Sequence, residues 1–525
     1  MNYQKVTYRG ENPPSNLEVL KLINPLTTFW SLVSAFAIIT SGQTVEAGSA
    51  TWNLNPASND WNTAVNWTPE TVPDEFADVA TFDVSNITNI SVASEFALDS
   101  IVFNPGATAY RFAISEPFIG SIDFAGAGVI NNSGVTQNFD CVGNVGFANG
   151  STAGNDVVYT NKDLLNGGHW INFQGNSNAG SATFVNEGDS SDFDNGTIFF
   201  FSSSSAGNSS IINEEGDSIG GITGFFDSST AANSTITTQL TARLLFEDDA
   251  TSGSATLVTD GGTIYYKNRA TGQLARVELI NGGVVSLGGS DNAVPMTIGS
   301  LEGDNTGKVH LGNRHLTVGG NGLSTTFNGV LSGSGGLVKS GNEKLTLTGA
   351  NTYTGGTTIE GGTLLAQAAT GSATGAFIVQ VNAGTLGGTG SVTGPVTVGT
   401  GIGPRAFLAP GVNGPGTLSI VTTLTFKGNG SYKYELGLTP RPKADQVSAN
   451  GVSIENGARF MLRTKGNQTL PLGTAFIVIS NTAATPISGT FVNLADGSTI
   501  MAGPNNLQVS YQGGDGNDLT LTVVP

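Results

Sequence analysis

The chain has 525 residues, more than one ordinary hydrophobic core holds, so it forms either several domains or a repeat array. Only 12% of its residues are charged and its formal net charge is −19, which argues against binding nucleic acid or an anionic membrane face. Its 74 glycines disfavour helices, whereas a 38% hydrophobic content spread as short β runs indicates order rather than disorder.

Residues 1–47 have the features of an export signal. A basic segment precedes an apolar run at residues 29–39, which is too short to span a membrane. Val45-Glu46-Ala47 then forms a small-residue cleavage site, so we expect the mature chain to begin at Gly48. The basic segment is unusually long. Either the signal is of the extended type, or the start codon has been placed too far upstream.

Residues 48–130 are predicted to form a tryptophan-rich cap and the first coils. Trp52, Trp61 and Trp67 open this segment. A stack of β coils has to protect its open edge, and tryptophans can cover the end of the core. The alternative is a carbohydrate-binding module, in which exposed tryptophan faces would stack on sugar rings.

Residues 131–280 contain an internal repeat. Its unit is an aromatic residue, a short polar loop, a small pair such as Ala153-Gly154 and then a β run. The spacing fits one coil of a β-solenoid per repeat, so we predict an aromatic ladder inside the core, with Phe201 buried in it. The aromatic positions are Phe147, Phe173, Phe201, Phe226, Phe246 and, in degenerate form, Tyr266.

Residues 281–430 are richer in glycine, and their most regular stretch runs from Gly333 to Ala366. Short β runs alternate there with turns of glycine or asparagine, which tolerate positive φ. Each run is too short to be stable alone, so its backbone must pair with a neighbouring coil. The runs are Leu337-Val338, Leu345-Thr346-Leu347, Thr357-Thr358-Ile359 and Thr363-Leu364-Leu365.

This stretch resembles the autotransporter-associated β-strand repeat, also called the passenger-associated transport repeat, of long secreted bacterial β-helices. The resemblance implies architecture and export rather than chemistry. Glu343 departs from the pattern, where a small residue is usual, and we expect it at an exposed corner. The matching strings are Gly336-Leu337-Val338-Lys339, Leu345-Thr346-Leu347-Thr348-Gly349, Asn351-Thr352-Tyr353-Thr354-Gly355-Gly356-Thr357-Thr358-Ile359 and Gly362-Thr363-Leu364.

The predicted fold is therefore all-β, a right-handed parallel β-helix with an N-terminal cap and a C-terminal β module. About 14 coils at the usual strand spacing would form a rod of roughly 70 Å. Residues 431–525 form the C-terminal module, with longer alternating strands near Tyr432 and Phe476. No run of strands long enough for an outer-membrane barrel follows residue 431, so either display needs a separate outer-membrane export partner or the protein is released.

Candidate metal sites are weak. Residues 513–518 resemble a single calcium nonapeptide repeat, but such sites need adjacent copies, and a tight glycine turn is the favoured interpretation. His169, His310 and His315 are too scattered for a metal-ligand set, and the last two are expected to be exposed beside a turn. Cys141 is the single cysteine and is predicted to be an inert buried thiol.

Candidate catalytic groups are equally sparse. Asp192 and Asp194 would share a face of a strand, as paired glycosidase carboxylates require, but they lie in a polar loop. The acidic residues Glu214, Glu215 and Asp217 and the run 247–249 are predicted to be solvated corners. No nucleophile elbow, zinc motif or phosphate-binding loop occurs in the sequence.

The sequence thus predicts a secreted or surface-displayed bacterial passenger-like protein, a structural or adhesive scaffold without catalysis. No residue is predicted to be catalytic, cofactor-binding or metal-binding. A cell-surface or extracellular polysaccharide is the expected partner. A polysaccharide lyase or hydrolase on the same fold and a carbohydrate-binding module are the alternatives.

Overall fold

A computed structural model describes residues 48–115, 120–161, 170–189, 195–288, 295–439 and 441–525. Parallel strands stack there into a β-solenoid of about 14 turns, which confirms the predicted β-helix fold. Helix makes up 1% of the structure and includes a 3-10 turn at Ala64–Asn66. The predicted signal at 1–47, His169 and the pair Asp192 and Asp194 lie outside the described residues.

The first two sheets form two faces of each coil. In spatial order the first sheet contains Trp67–Thr68, Ala50–Trp52, Val79–Phe82, Glu95–Phe103, Ser121–Asn131, Asn144–Phe147, Trp170–Phe173, Thr197–Phe200, Ile222–Phe225, Arg243–Phe246, Thr263–Tyr266, Val284–Leu287, Lys308–His310 and Val330–Ser332. The second contains Asn89–Val92, Arg111–Ile114, Gln137–Cys141, Asn155–Asn161, Ser181–Asn186, Ser210–Asn213, Thr235–Gln239, Thr256–Asp260, Arg276–Ile280, Ser300–Gly303, Thr325–Phe327, Lys344–Leu347, Thr363–Ala366, Gly384–Gly388, Ala406–Pro410, Gly430–Gly437 and Arg459–Lys465, with the short antiparallel strand Lys443–Ala444 beside Gly430–Gly437.

Two further sheets begin later in the chain. The third contains Met296–Ile298, Leu316–Val318, Leu337–Lys339, Thr357–Ile359, Val379–Val381, Val396–Val398, Leu424–Phe426 and Val452–Ile454. The fourth contains Ser391–Val392, Thr417–Ile420, Gln446–Ala449, Ala475–Asn481, Asp518–Val524, Asn505–Gly513 and Thr499–Ala502. Three backbone hydrogen bonds connect the first sheet to the fourth. They run from Thr352 N–H to Leu331 O, from Asn351 N–H to Ser372 O and from Ala373 N–H to Ser391 O, so the fourth sheet continues the first face.

Inward and outward side chains alternate along most strands. Thr197–Phe200, for example, buries Ile198 and Phe200 and leaves its other two side chains partly exposed. Because neighbouring strands are parallel and in register, each inward position meets the same position one coil away. One long core therefore runs along the whole solenoid.

Stacked aromatic rings fill this core next to the first sheet. Successive ring centroids lie 4.6–5.1 Å apart with interplanar angles of 6–17°. The predicted ladder is confirmed, but two of its members were assigned wrongly. Phe200 and Phe225 face inward, whereas Phe201 and Phe226 follow the strand ends and are partly exposed. The ladder residues are Phe124, Phe147, Phe173, Phe200, Phe225, Phe246 and Tyr266.

A second ladder lines the second sheet and was not predicted. Phe112, Phe139, Tyr159 and Phe184 stack with centroids 4.6–5.0 Å apart. Edge contacts, such as Phe173 to Phe184 at 81°, join the two ladders across the core.

The third face of each coil changes character along the chain. Between Gly128 and Thr271 it is a row of single-residue parallel bridges, and from Met296 onward it is the third sheet. The residues beside the bridges are buried alanines and serines such as Ala179 and Ser177. Small side chains therefore lie where aromatic rings occupy the core.

The N-terminal cap is formed by the three tryptophans. Trp52, Trp61 and Trp67 are at most 1% exposed and pack on one another with centroids about 5 Å apart. Trp61 and Trp67 each donate an indole N–H to a backbone carbonyl, at 3.0 and 2.8 Å. The capping prediction is confirmed, and a sugar platform built from these tryptophans is wrong because their faces are buried.

The transport-repeat stretch forms four of the strands already given, as its β runs predicted. Glu343 lies at a corner, but its side chain is only 10% exposed, so the prediction of exposure is wrong. Its carboxylate accepts the backbone N–H of Gly322 at 2.8 Å and of Gly320 at 3.4 Å, and lies 3.9 Å from the buried Lys339 ammonium. Glu343 therefore ties its corner to the preceding coil.

The C-terminal module ends the stack with antiparallel pairing. Ala475–Asn481 pairs antiparallel with Asp518–Val524, which pairs antiparallel with Asn505–Gly513. Residues 514–517 form the turn between these last two strands, with Gly514 and Gly516 at positive φ. Asp518 accepts the backbone N–H of Asn481 at 2.8 Å, so this carboxylate holds the module together.

Candidate binding surface on the first sheet

The outer face of the first sheet carries a column of aligned outward positions, one per coil; one of them is Gly224, which the neighbouring rings of Phe199 and Phe226 cover. We call these positions the outer column. Each member lies directly opposite the next in the parallel register, and each has a buried, inward-facing neighbour on its own strand. The outer column consists of Phe199, Gly224, Leu245, Tyr265, Ser286 and His310.

Three partly exposed phenylalanines form a cluster at one end of the column. Phe201 and Phe226 stack at 5.2 Å, and Phe199 lies 5.6 Å from Phe226. Gly224 makes this packing possible, because a Cβ there would lie 2.7 Å from the Phe226 ring and 3.0 Å from that of Phe199. We call Phe199, Phe201 and Phe226 the aromatic cluster.

A groove lies at the other end of the column. Its volume is about 490 Å³, and Ser332 and His310 line one side, with the Ser332 hydroxyl 2.9 Å from Nδ1 of His310. Lys308, on the same strand as His310, is exposed. The remaining lining residues are Gly282, Asn305, Thr306, Gly307 and Val330.

The His310–Ser332 pair has the residue types of a nucleophile and its base, but not their setting. A base of this kind is normally oriented by a third group, and the site is shielded from water. His310 is exposed, and no carboxylate hydrogen-bonds to it among the residues the structure describes. The groove therefore offers hydrogen-bonding groups rather than an activated nucleophile.

Charged corners between coils are neutralised in pairs. Glu247 accepts a hydrogen bond from Lys267 at 2.6 Å, and Arg269 forms a bidentate pair with Asp249. The prediction of solvated acidic corners holds for the exposed Asp248 and Asp249 but not for Glu247, which is only 8% exposed. These pairs neutralise the corners, whereas Lys308 remains an exposed cation on the strand of His310.

Acidic side chains lie farther toward the N-terminus on the same face. Burial, with a contribution from the nearby Glu95 carboxylate, raises the pKa of Asp123 to about 6. Asp123 lies over Gly146, whose missing side chain leaves room for the carboxyl group. Glycoside hydrolysis would need a second carboxylate held in place against the same substrate. The nearby Glu95 is an exposed residue at the start of a strand, so the structure does not hold it in such a position.

The other predicted residues have structural roles or are exposed. His310 and His315 are exposed, as predicted. Cys141 is fully buried, and burial raises the pKa of its thiol, as expected for an inert cysteine. Within the described ranges, no group of three or more His, Cys, Asp or Glu side chains is arranged to hold a metal ion.

Within the part of the chain that the structure describes, no helix has the length and apolar character needed to cross a bilayer.

Comparison with known proteins agrees with this architecture. Residues 337–366 match the family model of the passenger-associated-transport-repeat. The chain is 38% identical over 120 residues to the adhesin BmaC autotransporter of Brucella suis biovar 1 (strain 1330). That alignment covers 22% of this chain and only 4% of the adhesin. The repeat match and the stacked fold together show a β-solenoid that contains a passenger-associated transport repeat.

Proposed function

We propose that the protein is a surface-displayed or extracellular scaffold that makes adhesive contacts and performs no catalysis. The observation that carries this proposal is the register of the outer faces. Parallel coils place the same outward position in line over more than 100 residues, as in the outer column. Such a surface suits many weak contacts made at once, because linked contacts add avidity without a deep pocket.

The similarity to an adhesin autotransporter supports the same proposal, although the shared segment is a small part of that protein. A polymer of the cell surface or the extracellular matrix is the proposed partner. The net charge of −19 and the polar corners would keep an exposed rod soluble.

Adhesion can be tested with the purified full chain immobilised at several densities. Bound bacterial or host-surface polysaccharide should rise more steeply than protein density, because multivalent contact depends on neighbouring sites. Absence of binding to every surface and polymer tested would contradict the adhesive proposal.

Catalysis is tested on the same preparation. No reducing ends or unsaturated products should be released from pectins, alginates and sulfated glycans, with or without calcium. Product release that is abolished by Asp192→Asn in a folded protein would replace the scaffold proposal with a polysaccharide-active enzyme.

Export has its own measurement. The intact mass of protein recovered outside the cell should correspond to a chain beginning at Gly48. A mass that includes residues 1–47 would refute the proposed signal.

A further inference from the structure

We infer that the outer column and the aromatic cluster form a track for a single neutral polysaccharide chain lying parallel to the solenoid axis. This inference rests on the proposed adhesive function and assigns it a surface and a ligand class. The track extends from Phe199 to His310 on the first sheet.

The geometry of the column matches an extended polymer. Phe199 and His310 are five parallel strands apart, and strands are spaced about 4.8 Å apart, so the column is roughly 24 Å long. One step is close to the length of one pyranose unit in an extended glycan. Each sugar would therefore meet one coil.

The aromatic end supplies stacking surfaces. Phe199, Phe201 and Phe226 are partly exposed on the outer side of the first sheet. Their rings contact one another with centroids 5.2–5.8 Å apart, and the absence of a side chain at Gly224 leaves room for this packing. Fixed rings lose little entropy on binding, and their faces suit the C–H faces of sugars.

The middle and far end supply hydrogen bonds. Tyr265 and Ser286 are partly exposed outward residues, and the groove beyond them presents His310, Ser332 and Thr306. Hydroxyl, imidazole and backbone groups both donate and accept, which matches the alternating hydroxyls of a glycan. An apolar surface with a few polar groups is the usual composition of a ligand site.

Charge selects a neutral ligand over the other occupants. The outer-column positions carry no formal charge at pH 7, and the two cations beside them on the same face, Arg243 and the exposed Lys308, are few against the net charge of −19. A second copy of the chain would bring another −19 charges against this face, and an anionic polymer would meet the same overall repulsion. The nearby Glu247 and Lys267 neutralise one another.

The test uses the full chain in affinity gels containing neutral polysaccharides: a mixed-linkage β-glucan, a xyloglucan and a galactomannan. At least one should retard the wild-type chain. The variant Phe201→Ser/Phe226→Ser should bind about tenfold more weakly, as should Tyr265→Ser. The matched control Ile212→Ser/Val258→Ser changes outward apolar residues of the second sheet and should bind like the wild type.

Unchanged unfolding midpoints would show that the serine variants remain folded, since all the replaced side chains face outward. The inference is overturned if no neutral polysaccharide retards the wild type, if only anionic polymers do, or if aromatic and control variants behave alike. It is also overturned if the aromatic variant instead converts a dimer to a monomer. Adhesion that persists in the aromatic variant would reject the track and leave the proposed function standing, whereas product release would reject the proposed function itself.

Discussion

The coils at residues 111–287 and those at residues 296–426 fill the same cross-section with different side chains. In the first, here called the aromatic region, stacked rings occupy the core and the third face contributes alanine and serine. In the second, the aliphatic region, the third face contributes pairs such as Leu316 and Val318. The comparison shows that parallel stacking constrains the core volume of each coil. Larger side chains on one face are therefore matched by smaller side chains on another.

The corners of the two regions also differ. Residues with positive φ include Asn149, Ser202, Asp227 and Asp248 in the aromatic region, and several of their side chains bond to the adjacent coil. In the aliphatic region, glycines hold most of the positive-φ positions. Polar corners therefore add contacts between coils, whereas glycine corners allow closer approach.

The largest effect should separate two adjacent residues. Phe200→Ala should lower the free energy of unfolding by about 3–5 kcal/mol, because it removes a fully buried ring, and Phe201→Ala by about 1 kcal/mol or less. Denaturant unfolding would measure both. Hydrogen exchange should rise chiefly in the coils beside Phe200, as solenoid contacts are local. Equal losses for the two variants would break the assignment of the ladder.

A glycine corner should be less tolerant than a polar one. Gly388 has φ +116°, and a Cβ would overlap the Ala366 carbonyl oxygen, so Gly388→Ala should cost about 2–4 kcal/mol through strain and overlap. Asp227→Gly keeps an allowed backbone and loses one hydrogen bond to Ser202, so about 1 kcal/mol is expected. Unfolding midpoints of the two variants test the contrast, which fails if their order is reversed.

A row of buried polar side chains runs along the second sheet in the aromatic region. Asn186 donates to Asn213 Oδ1 at 2.7 Å and accepts from Asn161 at 3.3 Å, so Asn186→Ala should cost about 1–3 kcal/mol. The hydroxyl of Thr259 continues the same inward row without a hydrogen bond. Thr259→Val is therefore the matched control and should be neutral or stabilising in thermal unfolding. A loss equal to that of Asn186→Ala would show that the Thr259 hydroxyl has a stabilising partner, which contradicts its unpaired position.

The smallest effects concern pH and have opposite signs in two parts of the solenoid. Because the pKa of Asp123 is raised to about 6, the folded state binds a proton at this carboxyl more tightly than the unfolded chain does. Its contribution to stability should increase as pH falls from about 6 toward 4, and Asp123→Asn should remove that increase. Denaturant midpoints at pH 7.5 and 4.5 for the wild type and the variant would measure the difference.

Glu343 should behave in the opposite way. Burial opposes its ionisation, but backbone N–H donors, including those of Gly322 and Gly320, and the Lys339 ammonium outweigh burial and lower its pKa. Its contribution is present above the ordinary pKa of 4.5 and is lost as pH falls through the lowered value. Glu343→Gln should therefore be destabilising at pH 7.5 and much less so near pH 3. A variant that destabilises equally at both pH values would contradict this role.

Sequence alone determined the repeat, the strand runs of the transport-repeat stretch and the burial of the capping tryptophans. These features follow from local rules: short β runs must pair, corners need residues that tolerate positive φ, and an open core must be covered. The aromatic spacing also predicted the ladder, because one coil has a nearly constant length.

Only the tertiary structure decided which of two adjacent phenylalanines points inward. In Phe199-Phe200-Phe201 each residue is a plausible ladder member, and a shift of one residue exchanges the two faces of a strand. Two other features also depend on tertiary structure. The Glu343 carboxylate points toward the preceding coil, and Phe199 is aligned with Tyr265 and His310. Such alignments depend on register between coils more than 20 residues apart, which no local pattern specifies.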